Sequence, residues 1–276
     1  MARGTVRWIA LTAILVTATT ARAAETADGL PKLDTRTAYT VGAGTLYVGI
    51  LSFTYGITEH LDIGVDPPEW AARAVIPVLI PNLHIKETIL DQGPLTLSVR
   101  VAGYWAVLQT TDNNQSASLI VAPVSLFASF RLLDRLWLHG EGAYVYAHAF
   151  GSGDFNQLHF GGAVGTQAVQ IGAMLEGRLT RIFSLTATGR YQVYTADLAF
   201  NASGNIDPYT TATVDGRAVS AVAHPWQLIG GVAFLWNHFH LIAGVGYGYY
   251  YLPGVNLAYP QRTFVPDGEI ALVFHL

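Results

Sequence analysis

The sequence predicts an all-β protein, a closed antiparallel transmembrane β-barrel, and three observations support this prediction. Of the 276 residues, 51% are hydrophobic and only 12% are charged, which is about half the charged fraction of an ordinary soluble domain. Beyond the N-terminal stretch, no run of about twenty apolar residues is free of helix breakers, as a transmembrane helix requires. From residue 226 to residue 251, apolar and aromatic side chains take alternate positions, the period of a strand with two unlike faces. Because only helices and closed barrels satisfy their backbone polar groups in lipid, these observations favour a barrel.

Residues 1–23 have the pattern of a cleaved secretory signal peptide. Arg3 and Arg7 provide the positive charge at its start, and Trp8 to Val16 form a short apolar core. Ala21 to Ala23 match the small-residue pattern at which such peptides are cleaved. The chain is therefore expected to be exported, and its mature form is expected to begin at the next residue.

Residues 24–40 are polar and show no periodicity, so we expect a loose tail in the periplasm. The barrel is expected over residues 41–276, where segments of alternating apolar residues follow one another. These segments are 46–55, 61–65, 78–89, 95–107, 120–132, 136–146, 169–179, 185–193, 226–236, 239–251 and 270–276. A change of parity at Ser52 predicts a bulge or kink inside the first segment. Pro77 and Pro81 weaken the third segment, because proline cannot donate to the ladder.

The connections between these segments alternate in length. Tight turns lie near residues 58, 92, 134, 181 and 237. Longer polar connections lie near residues 68, 113, 154, 210 and 259, and residues 201–217 form the longest polar insertion. Short periplasmic turns and longer external loops are typical of transmembrane barrels, which usually have an even number of strands. We therefore predict about 12 strands, with roughly 10 as the next choice.

The signal peptide, the alternation of turns and loops, and the last strand together resemble bacterial outer-membrane β-barrel proteins. The last strand, Glu269 to Leu276, alternates apolar residues. Proteins of this class often end in such a strand with an aromatic residue that the barrel-assembly machinery recognises. Phe274 and Leu276 correspond to that assembly signal. The resemblance covers nearly the whole mature chain and is architectural, without a match to one transporter or enzyme family. It implies a location in the outer membrane, with outer-membrane lipid and the barrel-assembly machinery as partners.

Charged residues inside the predicted strands should point toward the barrel axis, because Arg or Lys on the lipid face at mid-bilayer costs about 2–4 kcal/mol. Seven charged residues have the inward parity and are predicted to line the lumen: Lys86, Arg100, Arg131, Glu141, Glu176, Arg178 and Arg190. Glu87 has the opposite parity but lies close to a turn. Five of the seven are basic and two are acidic. They could form an ion network that fills a narrow lumen, or a constriction with a weak preference for anions.

A serine, a histidine and a carboxylate could form a catalytic set near the periplasmic end. Pairing around the turn at Asp134 places Ser129 opposite His139, with Glu141 nearby, and such residues can supply a nucleophile and its base. No G-x-S-x-G motif surrounds Ser129, and polar lining of the lumen explains these residues more simply. We therefore assign no catalytic residue, and a lipid-modifying barrel enzyme stays an alternative.

Other function classes lack support in the composition. The nine histidines are scattered and the chain has no cysteine, so we predict no metal site and no cofactor. The net charge of −4 argues against nucleic acid as a partner. A soluble sandwich or lipocalin-like barrel would need its oily faces turned inward and more surface charge. The predicted function is a narrow passive channel or small-solute transport barrel with a mixed-charge lumen. A structural or surface-exposed barrel without transport is the alternative.

Overall fold

The computed structural model describes residues 32–33, 36–67, 80–109, 115–155, 158–196, 198–207, 210–218, 224–251, 256 and 258–276. Among these residues no helix is both long and apolar enough to cross a membrane. They form strands that belong to one antiparallel sheet. The strands are β1 (Thr45–Gly49), β2 (Phe53–Thr58), β3 (Leu61–Val65), β4 (Asn82–Gln92), β5 (Leu95–Gln109), β6 (Gln115–Leu133), β7 (Leu136–Phe155), β8 (Leu158–Arg178), β9 (Phe183–Thr195), β10 (Leu198–Asp207), β11 (Thr210–Ala218), β12 (Trp226–Leu235), β13 (Phe239–Tyr251) and β14 (Ala258–His275).

Twelve of these strands close into a barrel, which confirms the predicted fold. Strands β1 to β9 pair in chain order, β9 pairs with β12, and β12 to β14 continue the wall until β14 meets β1. At this seam Thr45 lies opposite His275, and the Leu276 N–H donates to the carbonyl oxygen of Gly44 at 2.8 Å. We define the inner end of the barrel as the end with the tight turns, where Thr45 pairs with His275. The opposite end is the outer end.

The remaining two strands, β10 and β11, form a hairpin outside the ring. β10 pairs with the outer half of β8, from Ala199 opposite Gly165 to Gly204 opposite Phe160. The structure thereby corrects the prediction of a polar loop over residues 201–217. Beyond the lipid, a strand needs only backbone pairing, so the apolar alternation on which the prediction depended is absent there.

The outward side chains of the barrel form an apolar band. Leu228 and Val245, for example, are 62% and 63% exposed. An aromatic cluster with ring centroids 4.8 to 5.7 Å apart surrounds the turn between β12 and β13 at the inner end; its members are Phe183, Phe234, Trp236 and Phe239. Trp226 and Tyr247 are in contact at the outer end of the same wall, at 6.2 Å between centroids. An apolar band between aromatic girdles is the outer face of a barrel embedded in lipid.

The barrel wall is short along the axis at β1 to β3. Strands β1 to β3 contain only five or six residues, whereas a membrane-spanning strand needs about 9–11. After Gly49 the chain reverses and enters β2 at Phe53, and the Ile50 N–H donates to the carbonyl oxygen of Ile270 at 3.1 Å. The parity change at Ser52 is therefore a reversal between two strands rather than a kink within one. Splitting that segment supplies the twelfth strand.

The chain that precedes β1 lies inside the barrel. Leu33, Thr37, Ala38 and Tyr39 are all buried, with exposed fractions of 7% or less. We name residues 33 and 36–44 the plug. The prediction of a loose tail over residues 24–40 is corrected for residues 33 and 36–40, and residues 24–31 and 34–35 lie outside the described part of the chain. The plug has no periodicity of its own because inward side chains of the wall hold it in place.

Candidate functional site

A cavity of about 140 Å³ lies inside the barrel, between the plug and the connection from β13 to β14. The plug contributes Leu33, Arg36 and Val41 to its lining, and the connection contributes Asn256. Every barrel strand except β12 contributes at least one further residue. The cavity is therefore a property of the closed barrel, and neither the plug nor one wall could form it alone.

The first part of the plug is anchored to β4 and β6 through its backbone. The Ala38 N–H donates to Ser129 Oγ at 2.9 Å, and the Ala38 carbonyl oxygen accepts a bond from Thr88 Oγ1 at 3.3 Å. The Lys86 ammonium donates to the carbonyl oxygen of Tyr39. These wall residues point inward because they share the lumen parity of their strands, so the strand period positions the plug.

The second part of the plug lies against β2 and β3. The Val41 N–H donates to Asp62 Oδ2 at 3.0 Å, and the Gly44 N–H donates to the carbonyl oxygen of Gly56 at 2.9 Å. A Cβ at Gly56 would lie 1.8 Å from the carbonyl oxygen of Gly42. The wall therefore needs a glycine at this point to let the plug approach.

Arg36 connects the plug to the opposite side of the barrel. Its guanidinium lies 3.1 Å from Asp267 Oδ2 on β14. Its φ of 62° falls in the left-handed region, which few residues other than glycine adopt. Leu33 continues across the lumen and contacts an apolar cluster of Met174, Ala233 and Leu235. The plug thus crosses the inner part of the lumen from wall to wall.

The outer side of the cavity is narrowed by Asn256, which is 5% exposed. Its Oδ1 accepts a bond from Arg190 at 3.3 Å, and its carbonyl oxygen accepts one from Gln170 Nε2 at 2.6 Å. Further out, Ile80 contacts a cluster of inward apolar residues on β5 to β8, which are Ala102, Tyr104, Val121, Val145, Ala147 and Ala168. The cavity therefore lies between two narrowed levels of the lumen.

The structure places the seven predicted lumen residues on the inner face and separates them into two groups. Four of them line the central cavity, and these are Lys86, Arg100, Glu141 and Arg190. The others lie toward the inner end. There Arg178 Nε is 2.9 Å from Glu176 Oε1, and Arg131 is 4.0 Å from Asp134 at the turn.

The basic residues of the central group are held by acceptors. Arg100 is 2.7 Å from Asp66 Oδ2, and the Tyr104 hydroxyl donates to the same carboxylate. Arg190 forms an ion pair with Glu141. These contacts match the geometry of an ion network that fills a narrow lumen.

Sequence reasoning missed five charged residues of the cavity: Arg36, Asp62, Asp66, Asp267 and Glu269. The signal for three of them was present. Asp62 has inward parity in β3, and Asp267 and Glu269 share the parity of the inward residues of β14. Arg36 and Asp66 lie outside the strands, where period-two reasoning does not apply.

The predicted serine and histidine are joined, but the third member is Glu176 rather than Glu141. Ser129 Oγ is 2.8 Å from His139 Nδ1, and His139 Nε2 is 3.2 Å from Glu176 Oε2. Glu141 belongs to the central cavity instead. All three joined side chains are at most 1% exposed, and the plug covers Ser129 at Ala38. The sequence could not identify Glu176, because the predicted strands stopped at residue 146 and resumed at residue 169. The structure continues β7 and β8 through residues 147–155 and 158–168, and this pairing sets the register that places Glu176 opposite Trp137.

The lining of the central cavity combines apolar side chains with paired charges. Across the described ranges, no group of three or more His, Asp or Glu side chains is arranged to hold a metal ion.

The chain is similar in fold to several barrels of known structure. The toluene transporter TodX of Pseudomonas putida has a TM-score of 0.43 at 14% identity, over 83% of this chain and 76% of that chain. The CymD monoaromatic hydrocarbon channel has a TM-score of 0.38 at 8% identity, over 85% and 89%. The translocator domain of the autotransporter NalP from Neisseria meningitidis has a TM-score of 0.36 at 12% identity, over 84% and 86%. No protein-family model and no curated protein matches the sequence.

Proposed function

We propose that this protein is a passive transport barrel for small solutes in the outer membrane, and that the plug closes its inner end. The observation that carries the proposal is the position of residues 36–44 across the lumen, directly beneath a cavity that eleven wall strands line. A purely structural barrel would need neither a chain segment seated on polar side chains nor a cavity above it.

The plug is held in a way that permits displacement. Its contacts with the wall are mostly single hydrogen bonds, each with a net contribution of about 0.5–1.5 kcal/mol. Its apolar contacts are made by three side chains, Leu33, Tyr39 and Val41, whereas the wall strands are paired along their length. Opening of the plug therefore requires much less free energy than opening of the wall.

A reversible cross-link tests this proposal by single-channel conductance in a planar bilayer. The Ala38 nitrogen lies 2.9 Å from Ser129 Oγ, so Ala38→Cys with Ser129→Cys places two thiols within reach of a disulfide. The native chain has no cysteine, so these are the only thiols. We expect few openings under oxidising conditions and at least tenfold more after reduction, in the same preparation.

Two glycine variants provide an independent comparison. Gly56→Ala collides with the plug at Gly42, whereas a Cβ at the outward-facing Gly142 meets nothing within 4 Å. We expect Gly56→Ala to raise the open probability and Gly142→Ala to behave as wild type. Silence of both the reduced cross-link variant and Gly56→Ala, each shown to be folded, would remove the channel proposal.

A serine hydrolase is the second candidate function, and the Ser129–His139–Glu176 chain favours it. Burial of these residues beneath the plug, and the bond that Ser129 already accepts from Ala38, favour a role in seating the plug. We expect a fluorophosphonate probe to leave Ser129 unmodified in wild type and in Gly56→Ala. Labelling that His139→Ala abolishes would instead support the hydrolase.

We infer that membrane lipid and the barrel-assembly machinery are the partners of the outer face. Phe274 is outward and 44% exposed, and Leu276 is 82% exposed beside the seam. Both residues of the predicted assembly signal are therefore accessible for recognition. Phe274→Ala should lower the yield of assembled barrel in cells without changing refolding in detergent.

A further inference from the structure

The charges around the central cavity do not balance. Four lysine and arginine side chains line it, which are Arg36, Lys86, Arg100 and Arg190, and His84 lines it in contact with Asp66. Five carboxylates line it, which are Asp62, Asp66, Glu141, Asp267 and Glu269. Three of the basic side chains form ion pairs, with Asp267, Asp66 and Glu141. Lys86 lies directly opposite Asp62 in the register of β3 and β4. One carboxylate, that of Glu269, is left over.

Glu269 is only 1% exposed. Its Oε1 accepts a bond from the Leu51 N–H at 3.2 Å. Its Oε2 is buried and has no hydrogen-bond partner among the described residues. A buried carboxylate oxygen without a donor is unfavourable, and such groups in folded proteins call for an explanation. A ligand that enters the cavity and donates to this oxygen supplies one.

The surroundings of Glu269 indicate what kind of donor fits. A Cβ at Gly49 would lie 1.9 Å from Glu269 Oε1 and 2.9 Å from the Tyr47 ring. Gly49 therefore allows a carboxylate and an aromatic ring to meet at one place. Leu51 and Ile242 add apolar surface to the same cavity. A carboxylate with an aromatic face and apolar walls is suited to an ammonium group on a short hydrocarbon chain.

We propose that the central cavity binds a small organic cation, an alkylammonium, with Glu269 as the residue that receives its charge. The proposal rests on the transport function, because a solute must reach the cavity. A second cavity of about 190 Å³ shares Arg36, Leu51, Asp267 and Gly268 with the first. The Arg36–Asp267 ion pair thus lies where the two cavities meet, so movement of the plug at Arg36 would join them. A metal ion fits the site less well, because hard cations prefer several oxygen ligands and Asp267 is bound to Arg36.

Calorimetric titration of the refolded mature chain in detergent tests the charge preference. The probes are butylammonium, 1-butanol and butyrate, which have similar size and differ in charge. We expect butylammonium to bind at least tenfold more tightly than either of the others, to wild type or to Gly56→Ala. Equal or tighter binding of butanol or butyrate overturns the proposal, and so does a lack of butylammonium binding to both proteins.

A matched pair of substitutions tests the residue. Glu269→Gln keeps the shape of the side chain and removes its charge, and we expect at least a tenfold loss of butylammonium affinity. Glu87→Gln makes the same chemical change on the outer face of β4, opposite Leu61 and Val99, and should keep wild-type affinity. Equal affinities of the two variants overturn the assignment. If Glu269→Gln does not refold, the three-probe series on wild type still decides.

Binding in micelles and flux in proteoliposomes separate this inference from the proposed function. Selective binding of butylammonium without flux in any plug variant would refute transport and leave the site intact. Flux with no selectivity among the three probes would support transport and refute the site.

Discussion

At the scale of single residues, the lumen depends on carboxylates that collect several donors at once. Asp66 follows the last residue of β3 and is 3% exposed. It receives Arg100 through both oxygens, at 3.0 and 2.7 Å, and also binds Tyr104. His84 Nδ1 lies 3.3 Å from the same carboxylate. One side chain at the start of the connection after β3 therefore fixes three inward residues of β4 and β5.

Removal of this carboxylate should destabilise the barrel strongly. Asp66→Ala leaves Arg100 without its acid partner in a largely buried place, and breaking such a pair costs about 3–5 kcal/mol. Because Arg100 is 21% exposed on its side chain, we expect the low end of that range. The measurement is urea unfolding in lipid vesicles, followed by tryptophan fluorescence.

Asp134→Ala is the matched control for this measurement. Asp134 is 97% exposed and lies 4.0 Å from Arg131, and exposed ion pairs contribute little to stability. We expect its unfolding curve to overlay that of wild type. Equal stabilities of the two variants would show that Asp66 does not organise the lumen.

At the scale of elements, the twelve wall strands close the ring, whereas the β10–β11 hairpin only extends the sheet at β8. The wall strands satisfy both of their edges around the ring, as a structure in lipid must. The hairpin pairs with β8 only from Phe160 to Gly165, beyond the part of β8 that β9 covers. Its loss would leave the ring complete.

Replacement of residues 198–218 by a short Gly-Ser linker should therefore give a folded barrel with wild-type conductance. Refolding is followed by the heat-dependent shift of gel mobility. Replacement of residues 226–251, which form β12 and β13 of the ring, is the matched control and should abolish folding. If the first deletion also abolished folding, the hairpin would have to be counted as part of the wall.

At the scale of the whole molecule, period-two alternation was sufficient to predict the closed barrel and the side of the wall that each strand residue faces. The inward parity of Lys86 and Arg190 needed only the statement that charge avoids lipid. The plug could not be predicted, because Ala38 and Val41 bind side chains from strands that are distant in sequence. The contact of Glu176 with His139 depends on the register of β7 and β8, whose outer parts, residues 147–155 and 158–168, the predicted strands did not include. Features that follow from the period-two alternation could therefore be predicted, whereas contacts between segments distant in sequence could not.

The continuity of the plug with β1 also bears on how the barrel assembles. Gly44 ends the plug, and its carbonyl oxygen accepts a hydrogen bond from the N–H of Leu276, next to the pairing of β1 with β14. The C-terminal end of the plug is thus held by a hydrogen bond beside the β1–β14 pairing that closes the ring. While β1 and β14 are unpaired, neither the closed wall nor this hydrogen bond to the plug exists, and pairing of the two strands brings both together. A barrel whose ring is closed at this seam therefore already holds the C-terminal end of its plug, without a separate insertion step.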